Sequence, residues 1–89
     1  MKIKLELFGA SKDFSNKDFL KFDIKEKIKI KDLRKEIIQY LNKNFKGNDS
    51  FKRIVENSAF CSEDNNIIED NYRIIKDQKI GIIPPIGGG

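Results

Sequence analysis

The chain has 89 residues. That is one domain, and one of this size buries only roughly 60–65% of the surface its unfolded form exposes, so a deep private active site is not expected. It is 38% hydrophobic and 36% charged, with seven Phe and no Trp, which excludes a wholly disordered chain. The formal net charge is +4, histidine is absent and cysteine occurs once, at Cys61, so an internal disulfide and a histidine-based metal site or general base are excluded.

In chain order, "KIKLELFG" places Ile3, Leu5 and Leu7 on one face and Lys2, Lys4 and Glu6 on the other. Period two with one polar face predicts a strand. "ASKDFSNKD" carries turn formers without alternation, so residues 9–17 are expected to form a loop. "FLKFDIKEKI" alternates again through Leu20, Phe22 and Ile24, and predicts a hairpin partner for the first strand, with a connection longer than the common two-residue turns.

"IKDLRKEIIQYLNKNFKGN" repeats Leu33, Ile37 and Leu41 every four residues, with Ile38 and Phe45 on the flank, and predicts a one-sided helix. Asp32 suits its first turn, Lys43 and Lys46 its last, and Gly47 a left-handed cap. Its start is less defined, because Lys29 and Lys31 are poor N-caps. "FKRIVENSAFCS" is β-prone through Ile54, Val55 and Phe60 and is expected to be a strand. "EDNN" turns the chain, and "IIEDNYRIIKDQ" predicts a short strand and an irregular crossing. "KIGIIPPI" predicts the last strand, with Gly81 marking a close backbone approach or a bulge. Pro84 and Pro85 must end it, since neither has an N–H for a ladder.

One helix must cover one face of a mixed sheet for such a core to close. The fold class is therefore α+β, and a first hairpin, a helix across it and a last strand beside the first make a β-grasp sheet. Residues 1–83 are assigned to this domain and 84–89 to an extended tail. The N-terminus lacks the unbroken apolar run of a signal peptide and no stretch approaches membrane-spanning length, so a reducing, cytoplasmic setting without membrane contact is expected. Most lysines alternate with acids or apolar residues, the pattern of a solvated face; a patch for an acidic partner stays open, and nucleic acid is not assigned as a partner. The pairs Glu63–Asp64 and Glu69–Asp70 sit in turns and are read as solvated residues.

The end "IIPPIGGG" has parts suited to a mechanical task. Pro84 and Pro85 hold an extended conformation that resists folding back. Ile86 offers one apolar anchor. Gly87, Gly88 and Gly89 carry no side chains and would thread a narrow channel. Beyond them lies an α-carboxylate, a poor electrophile that becomes reactive once converted to a mixed anhydride with AMP. Displacement by a sulfur nucleophile would then leave a thiocarboxylate, making the protein a carrier of a group.

At these residues the sequence resembles the ubiquitin-like sulfur carriers, most closely the small subunit of molybdopterin synthase. The likeness rests on "PPIGGG", on "IKLELFGASKDF", on "IKDLRKEIIQYL" with its Leu33–Arg34 pair, on "NSAFCSEDN" and on "IKDQKIGIIPPIGGG". The thiazole-pathway carrier is similar in fold but usually lacks Pro-Pro, so Pro84 and Pro85 favour the molybdopterin branch.

The resemblance implies that Gly89 is adenylylated by an ATP-dependent activating enzyme resembling the ubiquitin E1 and sulfurated through a sulfur donor. The tail would then enter the large synthase subunit and deliver sulfur to cyclic pyranopterin monophosphate. The catalytic residues of that step belong to the large subunit, so the chain is not an enzyme by itself. No metal or resident cofactor is implied. Phe8, Ile83 and Ile86 are candidates for the docking surface, with packing as the alternative for Phe8 and Ile83. Cys61 is read as packing, since the family places sulfur on the terminal glycine. Two other uses stay open: a ubiquitin-like modifier that passes activated Gly89 to a lysine, and a non-covalent β-grasp adaptor with an inert tail.

Overall fold

A computed structural model describes residues 1–46 and 48–85 of the chain. The elements run β1 (Lys2–Leu7), a 3-10 helix (Gly9–Phe14), β2 (Phe19–Asp23), β3 (Ile28–Lys29), α1 (Ile30–Asn44), α2 (Asp49–Asn57), β4 (Ala59–Cys61), β5 (Ile67–Ile68), β6 (Arg73–Ile74) and β7 (Gln78–Ile83). Five strands form one sheet in the order β2-β1-β7-β4-β5, and β3 pairs with β6 in a separate ribbon. β1 is antiparallel to β2 and parallel to β7, while β4 is antiparallel to both β7 and β5. This is the β-grasp arrangement anticipated from the hydrophobic pattern.

Alternation decides the two faces of the sheet. Ile3, Leu5 and Leu7 of β1, Ile80 and Ile82 of β7 and Phe60 of β4 are all buried. They join Ile30, Leu33, Ile37 and Leu41 of α1 in one cluster. Four inward side chains at helical spacing remove enough apolar surface from water to hold α1 on the sheet, at roughly 1.5–3 kcal/mol for each fully buried residue. The weak N-cap is solved from within the helix: the Asp32 carboxylate accepts the Lys29 N–H at 3.0 Å, and its charge also sits in the first turn, where the helix dipole favours it. At the other end the Phe45 N–H donates to the Leu41 carbonyl at 2.7 Å. The cap expected at Gly47 lies outside the described residues.

Two segments differ from expectation. The strand expected from residue 51 begins only at Ala59, and Asp49–Asn57 is helical instead. Its β-prone residues also fit a helical stripe: Phe51, Ile54, Val55 and Ser58 stand at i, i+3, i+4 and i+7. The Asn48 side chain accepts the Phe51 N–H at 3.2 Å as an N-cap. Phe51 then stacks between Phe14 and Phe45, at centroid distances of 5.0 and 5.2 Å. The loop expected over 9–17 likewise contains a 3-10 helix, because fully buried Phe14 draws it onto the core.

Arg34 fastens α2 to the rest. Its Nη1 donates to the carbonyls of Val55 at 2.6 Å and Ser58 at 2.8 Å, satisfying the C-terminal end of α2. Its Nη2 pairs with Asp70 at 2.6 Å, and its guanidinium lies 4.8 Å from the centre of the Phe60 ring. The Arg34 side chain is only 17% exposed, whereas that of Asp70 is 57% exposed. Replacing Arg34 with Ala should therefore cost about 2–4 kcal/mol of unfolding free energy, since carbonyls lose charged donors as well as the ion pair. Asp70→Asn should cost under about 1 kcal/mol, because the exposed partner is screened by water. Urea denaturation of both variants checks this, and equal losses would remove Arg34 as the fastener.

Candidate functional site

The face of the sheet opposite the core carries the features of interest. On it β1 presents Lys2, Lys4 and Glu6, and the matching register brings Asp23, Lys21 and Phe19 of β2 beside them. On the other side Lys79 pairs with Lys4 and Gly81 with Glu6. Beyond β7 lie Ala59 opposite Ile83 and Cys61 opposite Gly81, and Ile67 of β5 is opposite Cys61. The face is thus charged at the start of β1 and apolar toward the ends of β1 and β7.

The apolar end is built around Phe8. Its backbone is fixed by Ser11, a buried residue whose hydroxyl accepts the Phe8 N–H at 2.9 Å and donates to the Phe8 carbonyl at 2.6 Å. Its ring lies over Gly81. A Cβ placed on Gly81 would stand 2.9 Å from the ring and 2.7 Å from the Cys61 sulfur. Both distances are shorter than side chains tolerate, so the close approach anticipated at Gly81 depends on the missing side chain. Phe8 remains 42% exposed, Ile83 36% and Ile67 64%. Cys61 is buried among them, and a depression of about 150 Å³ is lined by Glu6, Phe8, Cys61, Glu63, Lys79 and Gly81.

The same end of the sheet releases the last strand. β7 stops at Ile83, as the two prolines require. Pro84 is buried and Pro85 exposed. Gly9 turns beside Pro84 with a φ of +54°, a left-handed conformation that favours glycine, and a Cβ on it would touch the Pro84 ring at 3.9 Å. Residues 8–9 and 83–84 therefore form one corner.

At the charged end Lys79 pairs with Glu6 at 2.9 Å. The hydrogen bond that Lys79 donates to the Glu6 carboxylate, then the Glu6 charge, raises the Lys79 pKa above the ordinary lysine value of 10.5. A raised lysine pKa favours the folded state below 10.5 and loses that effect as pH rises through the folded value, so the pair is intact at neutral pH. Among the described residues no group of three or more His, Cys, Asp or Glu is placed to hold a metal, and no helix is long and apolar enough to cross a membrane.

Phe8, Ile83, Pro84 and Pro85, singled out in the sequence, thus lie along one corner and the adjoining face. Ile86, Gly87, Gly88 and Gly89 lie outside the described residues. Sequence reasoning missed Ala59 and Ile67 as neighbours of Ile83 and Cys61. Their strands, of three and two residues, are too short to give a periodic signal.

No protein-family model matches the sequence, and no curated protein matches it. Among solved structures the chain is similar to a putative molybdopterin converting factor, subunit 1, from Pyrococcus furiosus. That likeness has a TM-score of 0.69 at 17% identity and covers 96% of this chain and 98% of that one. It is also similar to SAMP1 from Haloferax volcanii, with a TM-score of 0.68 at 12% identity over the whole of both chains. What is shared at these identities is the fold, a ubiquitin-like β-grasp.

Crowding at Gly81 is directly measurable. Gly81→Ala should lower stability by about 1–3 kcal/mol through overpacking against Cys61 and Phe8. Adding Cys61→Ala should restore part of the loss by removing the sulfur. A double-mutant cycle by urea unfolding reads the coupling, and strict additivity would mean that the two sites do not compete for space.

Proposed function

We propose that the chain is a sulfur carrier that serves as the small subunit of a molybdopterin synthase, with the C-terminal carboxyl of Gly89 as the carrying group. The observation that bears most weight is the exit of β7. A strand held on both sides in the sheet ends in a buried proline, next to an exposed apolar corner and just before a glycine-rich terminus. The tail is thereby launched from a fixed point, and a partner that binds the corner receives it. The β-grasp fold shared with a protein described as a molybdopterin converting factor subunit supports the same reading.

In this reading residues 84–89 are the working tail of the domain. Pro84 and Pro85 set its direction, Ile86 anchors it, and Gly87 and Gly88 thread a channel too narrow for side chains. An activating partner uses ATP to convert the Gly89 carboxylate to an acyl adenylate, releasing pyrophosphate. Hydrosulfide released by a donor protein then attacks the acyl carbon, the bond to AMP breaks, and the product is a thiocarboxylate. In the large subunit the thiocarboxylate sulfur bonds to a carbon of cyclic pyranopterin monophosphate, and water then cleaves the acyl carbon–sulfur bond to return the Gly89 carboxylate. Phe8 and Ile83 dock the carrier on these partners, and the chain needs no bound cofactor of its own.

Incubation with ATP, a cognate activating enzyme and a sulfur donor should give an intact-mass change of one oxygen replaced by sulfur, localised to the C-terminal peptide. Removal of Gly88 and Gly89 should abolish that product and leave the melting temperature unchanged, as these residues follow the last strand. A truncated chain that still supports molybdenum-cofactor synthesis would sink the proposal. Conjugates that survive reducing agent on a denaturing gel, formed in place of the thiocarboxylate, would assign the chain to protein modification instead.

A further inference from the structure

The lysines at the charged end of the open face are arranged against the interests of the fold. Lys4 and Lys21 are directly opposite one another on antiparallel strands, and Lys4 is also the parallel partner of Lys79. Like charges in register across a ladder destabilise a sheet. Lys79 is neutralised by Glu6. The ion pairs among the described residues are this one and Arg34–Asp70, so neither Lys4 nor Lys21 has a carboxylate within 4.0 Å there. Both turn instead to the half-buried ring of Phe19, with their ammonium groups 4.5 and 5.6 Å from its centre, and Lys17 joins at 5.8 Å. Three exposed cations gather around one aromatic ring.

A cation over a ring retains its charge and most of its hydration, and the attraction is weak at an exposed site. The ring therefore gathers the ammonium groups without discharging them. Local arrangements that work against stability are found chiefly where function requires them. From the geometry we infer that Lys4, Lys17 and Lys21, organised by Phe19, form a docking site for an acidic protein surface, one that presents two or three clustered carboxylates. The inference stands without the sulfur-carrier reading.

Two features select protein carboxylates over a polyphosphate. Acidic residues interrupt the patch: Asp23 pairs with Lys2 in the register, and Asp23 and Asp77 line a depression of about 540 Å³ beside Lys4 and Lys21. Together with Glu6 and Asp18, which line a neighbouring depression with Lys4 and Phe19, they confine the positive surface to a short cluster that matches two or three carboxylates and leaves a longer run of phosphates unmatched. The patch also continues into the apolar corner, since Phe19 and Gly81 both neighbour Glu6. A surface that covered both would be apolar on one side and acidic on the other, as protein interfaces with steering charges are.

The test uses the full chain, labelled with 15N, and poly-L-glutamate as the probe. Amide shifts should concentrate at Lys4, Lys17, Phe19 and Lys21, and should vanish in about 1 M salt, where the screening length falls to about 3 Å. A K4Q/K17Q/K21Q variant should bind at least about fivefold more weakly. A K31Q/K35Q/K52Q variant, which removes the same charge from exposed positions on the helices, should stay within about twofold of the parent. The first variant should also melt no lower than the parent, since it relieves like-charge contact. Equal weakening in both variants, shifts centred elsewhere, tighter binding of poly-uridylate, or a lower melting temperature for the first variant would each overturn the inference.

Discussion

The parallel pairing of β7 with β1 is the constraint on which the rest of the molecule depends. A parallel ladder brings the C-terminal ends of both strands to the same edge of the sheet. The register sets Leu7 beside Ile82, so the next steps bring Phe8 alongside Ile83 and Gly9 alongside Pro84. The contact between the Gly9 turn and the Pro84 ring follows from that alignment. β7 lies between β1 and β4, so the end of the last strand is held on both sides by backbone hydrogen bonds. In the proposed carrier reading, a tail that starts from this fixed strand end loses less orientational freedom on binding a partner.

The two faces of this sheet answer to different demands. The inner face is filled by aliphatic side chains and Phe60, and its partner is α1, with α2 held close by Arg34. The outer face is mixed. Its apolar end is made possible by the absence of a side chain at Gly81, which lets the Phe8 ring lie low over the sheet and cover Cys61. Its charged end combines one neutralised lysine, Lys79, with several that carry free charge. Burying the apolar end alone would give affinity without orientation. In the docking mode inferred above, a neighbouring set of charges would supply register and a faster encounter.

Much of the site was legible in the sequence, for local reasons. Pro84 and Pro85 end a strand whatever surrounds them, and an aromatic residue at the end of an alternating strand, Phe8, falls on a predictable face. The reverse holds for Cys61 and for Phe19. Cys61 is in the floor of the apolar corner because β4 pairs with β7 in a particular register, and nothing within "NSAFCSEDN" encodes that partner. The lysines around Phe19 come from two strands and the turn between them. In the sequence each one reads as an ordinary solvated residue.

The sequence by itself determined the strands with clean alternation, the helix carrying Leu33, Ile37 and Leu41, the stop at Pro84 and the absence of histidine chemistry. These depend on periodicity and backbone sterics, which act over a few residues. Only the tertiary structure decided that Asp49–Asn57 is a helix. β-branched residues at positions 54 and 55 leave the local preference ambiguous; packing of Phe51 between Phe14 and Phe45, and the capping of two carbonyls by Arg34 from another helix, resolve it. Tertiary structure likewise decided what Gly81 is for. A missing side chain has meaning only through what occupies its space, and the Phe8 ring is brought there from just beyond the end of β1 and the Cys61 sulfur from β4.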